Sequence, residues 1–172
     1  GNWMYALLAF ASVGVLVPFF FYNVFGNANR GHKIFMGDTG SLTLGFILSV
    51  MVVKYVSVMV QESSRLDGAP VVMAFSVLLV PSLDVCRVVL NRFRRRVHPF
   101  KPDKSHIHHK FLNMGFTPRR SMILIQLMAV AFIVLTLVLL RIGLLAPVVF
   151  ILDIRVWTLM NVWFSRIIRR RA

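Results

Sequence analysis

Long apolar runs separated by short polar stretches dominate this chain. Trp3 to Phe25, Gly40 to Val60, Ala69 to Leu90, Ser121 to Leu140 and Ile142 to Phe164 are the runs in question. Each has about 20 residues, the length a helix rising ~1.5 Å per residue needs to cross the hydrocarbon core of a bilayer. In lipid the backbone has no water to bond, so each run is predicted to be a helix that satisfies its own peptide groups. The expected fold class is therefore all-α, a polytopic transmembrane helical bundle of about five spans in this chain. No internal repeat or low-complexity linker interrupts the pattern.

The last run carries Asp153 and Arg155 near its middle, where charge is costly unless it faces protein or water. Two residues apart on a helix, the pair points to different faces and cannot pair well. Either each meets partners on other helices, or the hairpin turns later, near Gly143 to Pro147, and the end lies along the interface. Full spanning is the expectation. Lys54, toward the outer end of its run, is expected to snorkel.

Composition sharpens the class. Hydrophobic residues make up 58% of the 172, and the mean hydropathy is +0.74, too apolar for an ordinary soluble domain. The formal charge of +14 sits beside the apolar runs, which reads as membrane anchoring and topology and not as nucleic-acid binding. A single cysteine, Cys86, excludes a disulfide framework or a cysteine metal site within the chain. The chain opens on Gly1 with no basic region before Trp3, so no signal peptide is read, and a piece of a longer protein is expected.

Charge also sets orientation, since basic loops stay on the cytoplasmic side. The 26 to 39 loop has Arg30 and Lys33, the 91 to 120 loop has nine basic residues beginning with Arg92, and the tail has Arg166, Arg169, Arg170 and Arg171. All three fall on one side. The other side has Arg65, balanced by Glu62 and Asp67, and Arg141 at a tight hairpin. The N-terminus is thus expected outside and the C-terminus in the cytoplasm.

Two constellations could carry chemistry. In Phe35-Met36-Gly37-Asp38-Thr39-Gly40-Ser41, Asp38 or Thr39 is placed to cap the second span, and the amides that follow favour anions. A carboxylate there suits a magnesium-bound diphosphate, because Mg²⁺ takes one or two carboxylates and completes its shell with phosphate oxygens and water. A plain cap, with glycines for close helix packing, is the bland alternative.

The second is Pro102-Asp103-Lys104-Ser105-His106-Ile107-His108-His109-Lys110. With Asp103 as cap, Gly115 as stop and Ile107, Phe111 and Met114 on one face, 104 to 114 reads as an amphipathic interfacial helix. His106 and His109 share a face and His108 points elsewhere. Zinc would want three convergent ligands, and adjacent His108 and His109 are expected to splay apart. Histidine and lysine donors aimed at phosphate oxygens fit better. Arg92, Arg94, Arg95 and Arg96 read as a stop-transfer cluster, and Asp84 with Arg87, three apart, as a local ion pair.

Together, in this order and topology, the two motifs resemble the C-terminal motifs of the polyprenyl-phosphate N-acetylhexosamine-1-phosphate transferases, of the glycosyltransferase family 4 type. This family includes the undecaprenyl-phosphate GlcNAc-1-phosphate transferases and the phospho-MurNAc-pentapeptide translocase. The resemblance takes in Pro81, Asp84 and Arg87 and the arginine run leading into Pro102 and Asp103. The Pro-Asp-Lys-Ser-His-Ile-His-His form looks more like the GlcNAc-1-phosphate branch. The resemblance implies that a UDP-N-acetylhexosamine and undecaprenyl phosphate give a lipid-linked diphosphate sugar and UMP, initiating cell-envelope polysaccharide synthesis at the bacterial inner membrane. It implies Mg²⁺, with Mn²⁺ as an alternative, held by Asp38. Phe35 would stack on uracil, and His106, His108 and His109 would line the diphosphate side of the cleft, converging with Asp38 on the same phosphates. Gly37, Gly40, Ser41, Lys104 and Lys110 would bind substrate. Membrane lipid is a further partner, a homodimer is compatible, and no nucleic acid is implied.

The family's earlier paired-aspartate motif and its Asn-rich segment ending in Asp-Gly are absent from these 172 residues. Residues 1–172 are therefore expected to form the C-terminal half of the transferase domain, with the N-terminal half as the missing partner. The alternatives are a catalytically inactive membrane scaffold or lipid-binding fragment derived from that family, and a metal transporter using the histidines.

Overall fold

The computed structural model describes residues 3–26, 34, 36–62, 68–94, 96 and 106–171. Among them every regular element is a helix: α1 (Trp3–Phe25), α2 (Gly37–Glu62), α3 (Ala69–Arg94), α4 (Ile107–Asn113), α5 (Pro118–Arg141) and α6 (Ala146–Arg171). All but the short α4 are long and apolar enough to cross a membrane, which makes five candidate spans. The molecule is a multi-pass, all-α membrane protein, as the apolar runs predict.

The side chains behave as a lipid solvent requires. Large apolar residues face outward, Phe10 at 78% exposure among them, an arrangement that water would penalise and lipid does not. Hydroxyls on the spans bond back to their own helices: Ser12 donates to the Leu8 carbonyl at 2.7 Å, Ser49 to Gly45 at 2.8 Å and Thr158 to Ile154 at 2.8 Å. Pro18 and Pro81 lie inside α1 and α3, a placement that membrane helices tolerate.

The chain divides into two compact units, residues 1–64 and 65–172. In the first, α1 and α2 form a hairpin. Lys54 Nζ lies 5.1 Å from the Tyr5 ring centroid, so the quadrupole of an aromatic face receives the charge.

In the second unit α3, α5 and α6 pack around Leu79, Val80, Phe132 and Trp157, and a smaller cluster forms around Val72, Ala146 and Val149. The helix ends differ from the hydropathy windows for local reasons. α5 begins at Pro118, because Thr117 caps it by accepting from the Arg120 amide at 3.4 Å and proline suits the first helical turn. α6 begins at Ala146 and not Ile142. Gly143, at φ +89°, ends α5 in the left-handed region, with Gly143 N–H bonded to the Leu140 carbonyl at 3.1 Å and Leu144 N–H to Leu139 at 3.2 Å. α2 and α3 overrun the predicted ends, since an apolar window marks the hydrocarbon and not where the backbone stops coiling.

For Asp153 the first explanation holds, and α6 from Ala146 is long and apolar enough to span. The turn does come at residues 142–145, and Asp153 finds a partner on α5. It is buried, with Oδ2 2.8 Å from Thr136 Oγ1, while that hydroxyl also lies 2.9 Å from the Phe132 carbonyl.

Candidate active site

The buried stripe of α3 runs Val72, Ser76, Val80, Asp84 and Val88, a four-residue repeat that turns Asp84 inward with its apolar neighbours. At 5% exposure this carboxylate cannot be solvated, so its oxygens must take donors from the protein. Oδ1 accepts from Arg87 Nη2 at 2.8 Å, the ion pair expected from the spacing. Oδ2 accepts from the Ile107 amide at 3.2 Å and is 2.9 Å from His106 Nδ1. Asp84 thus holds the first turn of α4 as well as Arg87, and that second role is invisible at the spacing of 22 residues that separates it from His106.

α4 is shorter than the expected 104 to 114 helix. It covers Ile107–Asn113, with His106 at the N-cap and no side-chain cap of its own; Asp84 on α3 serves one of the free amides. Asp103, the expected cap, and Lys104 lie outside the described residues. The stop is as read: Gly115, at φ +92°, gives Gly115 N–H to Leu112 at 2.9 Å and Phe116 N–H to Phe111 at 3.1 Å. The Phe111 and Phe116 rings meet edge to face at 6.1 Å, the apolar contact that accompanies this cap. Ile107 and Phe111 are buried, and Phe111 also meets Phe164 of α6 at 5.2 Å.

The three imidazoles form one group. His106 and His108 stack at 6.0 Å with 12° between planes, and His108 and His109 approach to 4.1 Å. This corrects two expectations, that His108 points away and that His108 and His109 splay apart. The reason is that His106 lies before the helix, with ψ 155°, so helical face rules do not place it. His108 is held below the usual histidine range by partial burial and then by its neighbours His109 and His106, with Asp84 opposing. Among the described residues no group of three or more His, Cys, Asp or Glu side chains could hold a metal ion.

Lys110 leaves the cluster and ties α4 to α6. Its Nζ donates to Asn161 Oδ1 at 2.7 Å, to Ser165 Oγ at 2.9 Å and to the Asn161 carbonyl at 3.3 Å. Burial first, then the nearby Arg87 charge, pushes it down from 10.5 to about 8. The lysine named as a phosphate ligand therefore has its three hydrogens engaged within the protein. Sequence reasoning missed Asn161 and Ser165, although an Asn and a Ser one turn apart on an apolar helix are the available signal.

In the first unit, Asp38 is exposed in the first turn of α2 and is not its cap, because the helix already begins at Gly37. Ser41 Oγ donates to the Asp38 carbonyl at 2.9 Å, and Thr43 Oγ1 to Thr39 at 2.8 Å. A Cβ on Gly40 would meet the flexible Met36 Cγ at 2.9 Å. Phe35 lies outside the described residues. An exposed carboxylate at a helix start, free to take a cation that brings its own phosphate and water ligands, fits Mg²⁺.

Residues 1–56, which include the Asp38 motif, match the family model for glycosyl transferase family 4. The undecaprenyl-phosphate alpha-N-acetylglucosaminyl 1-phosphate transferase of Escherichia coli (strain K12) is 32% identical over 131 residues, 75% of this chain and 33% of that protein. The enzymes of the same name from Yersinia pestis and Pasteurella multocida are 31% identical over 131 residues and 29% over 126, covering 75% and 72% of this chain and 33% of each. The match thus spans about a third of the length of these relatives. No solved structure matches the chain significantly. The chain is thus similar to glycosyl transferase family 4 over residues 1–56 and, over three quarters of its length, to the transferases just named.

Proposed function

We propose that the protein containing this chain transfers GlcNAc 1-phosphate from UDP-GlcNAc to undecaprenyl phosphate in the bacterial inner membrane, on its cytoplasmic face. The relatives that share about a third of their residues over three quarters of the chain carry this reading. In the reaction an oxygen of undecaprenyl phosphate forms a bond to the β-phosphorus of the UDP-sugar. The bond from that phosphorus to the bridging oxygen breaks, and UMP leaves with the electron pair. No proton has to move for the balance to close.

The difficulty is electrostatic, since two anions must meet and charge builds on the leaving phosphate. Preorganised donors at such a place account for much of the rate in phosphoryl transfer. His106, His108 and His109 supply imidazole groups; Asp84 holds His106, His108 stacks on it, and His109 lies tilted against His108. Asp38 would hold Mg²⁺, which neutralises phosphate charge when bound. Lys104 and the Gly37 to Ser41 stretch would contact the diphosphate, Phe35 the uracil, and Lys110 would keep α4 in place. This chain is then a part of the enzyme, with further acidic residues supplied by the rest of the protein.

The test uses the full-length protein with undecaprenyl phosphate, Mg²⁺ and a panel of UDP-N-acetylhexosamines, reading UMP release. UMP formed from UDP-GlcNAc at the highest kcat/KM is the expected result. Binding of the lipid phosphate without UMP from any donor would replace this reading with a lipid-binding scaffold.

A further inference from the structure

We infer that Asp84 is a positioning residue that fixes the imidazole of His106 through Nδ1 and so makes Nε2 the atom that meets a substrate phosphate. The identity of that phosphate rests on the transferase reading; the state of the ring does not.

Asp84 has three donors on its two oxygens: Arg87 on Oδ1, and the Ile107 amide and His106 Nδ1 on Oδ2. An ionised carboxylate only accepts, so the contact at 2.9 Å requires a hydrogen on Nδ1. The carboxylate itself cannot swing to suit the ring. Arg87 lies one turn along the same helix, and the Ile107 amide is fixed by the start of α4. His106 precedes that helix and makes no cap bond with its own side chain, so the local backbone does not dictate where its ring points. What does so is Asp84 on one edge and the His108 ring, nearly parallel at 6.0 Å, on one face.

With Nδ1 committed, Nε2 is the remaining polar atom. In the cationic ring it is an N–H donor suited to a phosphate oxygen, with the positive charge balanced by Asp84. The logic is that of a carboxylate that orients a histidine without touching the reacting groups. Sequence spacing gives no sign of it, since Asp84 pairs with Arg87 whether or not it reaches α4.

The experiment compares full-length wild type, Asp84→Asn and Asp84→Glu, with ring-¹⁵N histidine and the His106 signals assigned by their loss in His106→Gln. The wild-type neutral ring is expected to carry its hydrogen on Nδ1. Asp84→Asn, which presents an amide in place of an acceptor-only group, is expected to lose that preference. Its kcat for UMP release is expected to fall on the order of 10²-fold, with KM for the UDP-sugar changed by less than about threefold, and Asp84→Glu to recover part of the loss. An Nε2–H tautomer in the wild type overturns the inference, even if Asp84→Asn fails to fold. So does an unchanged tautomer in Asp84→Asn, whatever its stability, because Asp84 would then be only a packing element. Absence of UMP release by the wild type sinks the transferase reading while leaving the tautomer result to decide this one.

Discussion

Replacing Lys110 with Met tests how α4 is fastened. The substitution keeps length and apolar bulk but removes three bonds from Nζ to Asn161 and Ser165. Ser165 Oγ still donates to the Asn161 carbonyl at 2.9 Å, so the group left wanting a donor is Asn161 Oδ1, at a cost of about 1–2 kcal/mol. Against this stands the penalty of holding an ammonium in a half-buried place. Bringing a lysine from 10.5 down to about 8 corresponds to about 3 kcal/mol at most against the charged form. Water screening at the part-exposed head group leaves about half of that.

The sign follows from proton counts. Between pH 8 and 10.5 the folded protein has released the Lys110 proton while the unfolded chain keeps it, so this group adds stability as pH rises through that window. Because these two effects nearly cancel while the ammonium is charged, thermal unfolding in one detergent should show Lys110→Met within about 1 kcal/mol of the unsubstituted protein at pH 7. The unsubstituted protein should then gain about 1–2 kcal/mol on the variant by pH 10, a few degrees in apparent Tm. A difference that stays constant or moves the other way across the window would mean that the ammonium is not desolvated as described.

Three other outcomes are expected. Asp38→Asn in the full-length protein should lower Mg²⁺-dependent UMP release by on the order of 10²-fold or more with expression intact, and near-normal turnover would remove Asp38 from catalysis. Because His108 is held below the ordinary 6.5, the unfolded chain binds its proton first as pH falls below about 6.5 and stability drops there. His108→Gln should blunt that acid sensitivity in a melting series at pH 7 and below, and an identical pH slope would refute the point. Between α5 and α6, Thr136 has one hydrogen for two acceptors, and the buried Oδ1 of Asp153 has no partner among the described residues. Asp153→Asn, able to donate to the Thr136 hydroxyl, should keep or raise apparent Tm, and a loss above about 1 kcal/mol would show that the carboxylate is better served than its contacts indicate.

The spans could be read from sequence because lipid imposes a length and an apolar composition on a helix, and Trp3 to Phe25 coincides with α1. The start of α3 at Ala69 was legible as well, but the bounds of α5 and the start of α6 were not, since Thr117, Pro118 and Gly143 decide them through capping and left-handed backbone, signals that hydropathy ignores. The histidine motif was legible as a group, but its geometry was not. Helical face rules fail at His106, one residue before the helix, and His108 stacks with His106 and lies tilted against His109. Long-range partners were hidden for a plain reason: Asp84 with Ile107, Lys110 with Asn161 and Thr136 with Asp153 are joined by packing between helices, and local spacing carries no record of it. A buried acid on an apolar stripe was nonetheless a clue, because one arginine three residues away does not fill both oxygens of a carboxylate.

If GlcNAc 1-phosphate moves as one piece, as proposed, a label on the β-phosphorus of UDP-GlcNAc follows it. After incubation of the full-length protein with undecaprenyl phosphate and Mg²⁺, the label should pass into the organic phase with the lipid, and the UMP should carry none. Label retained in aqueous UDP, with or without sugar on the lipid, would show that the β-phosphate does not travel with the sugar and that the protein is not a sugar-phosphate transferase.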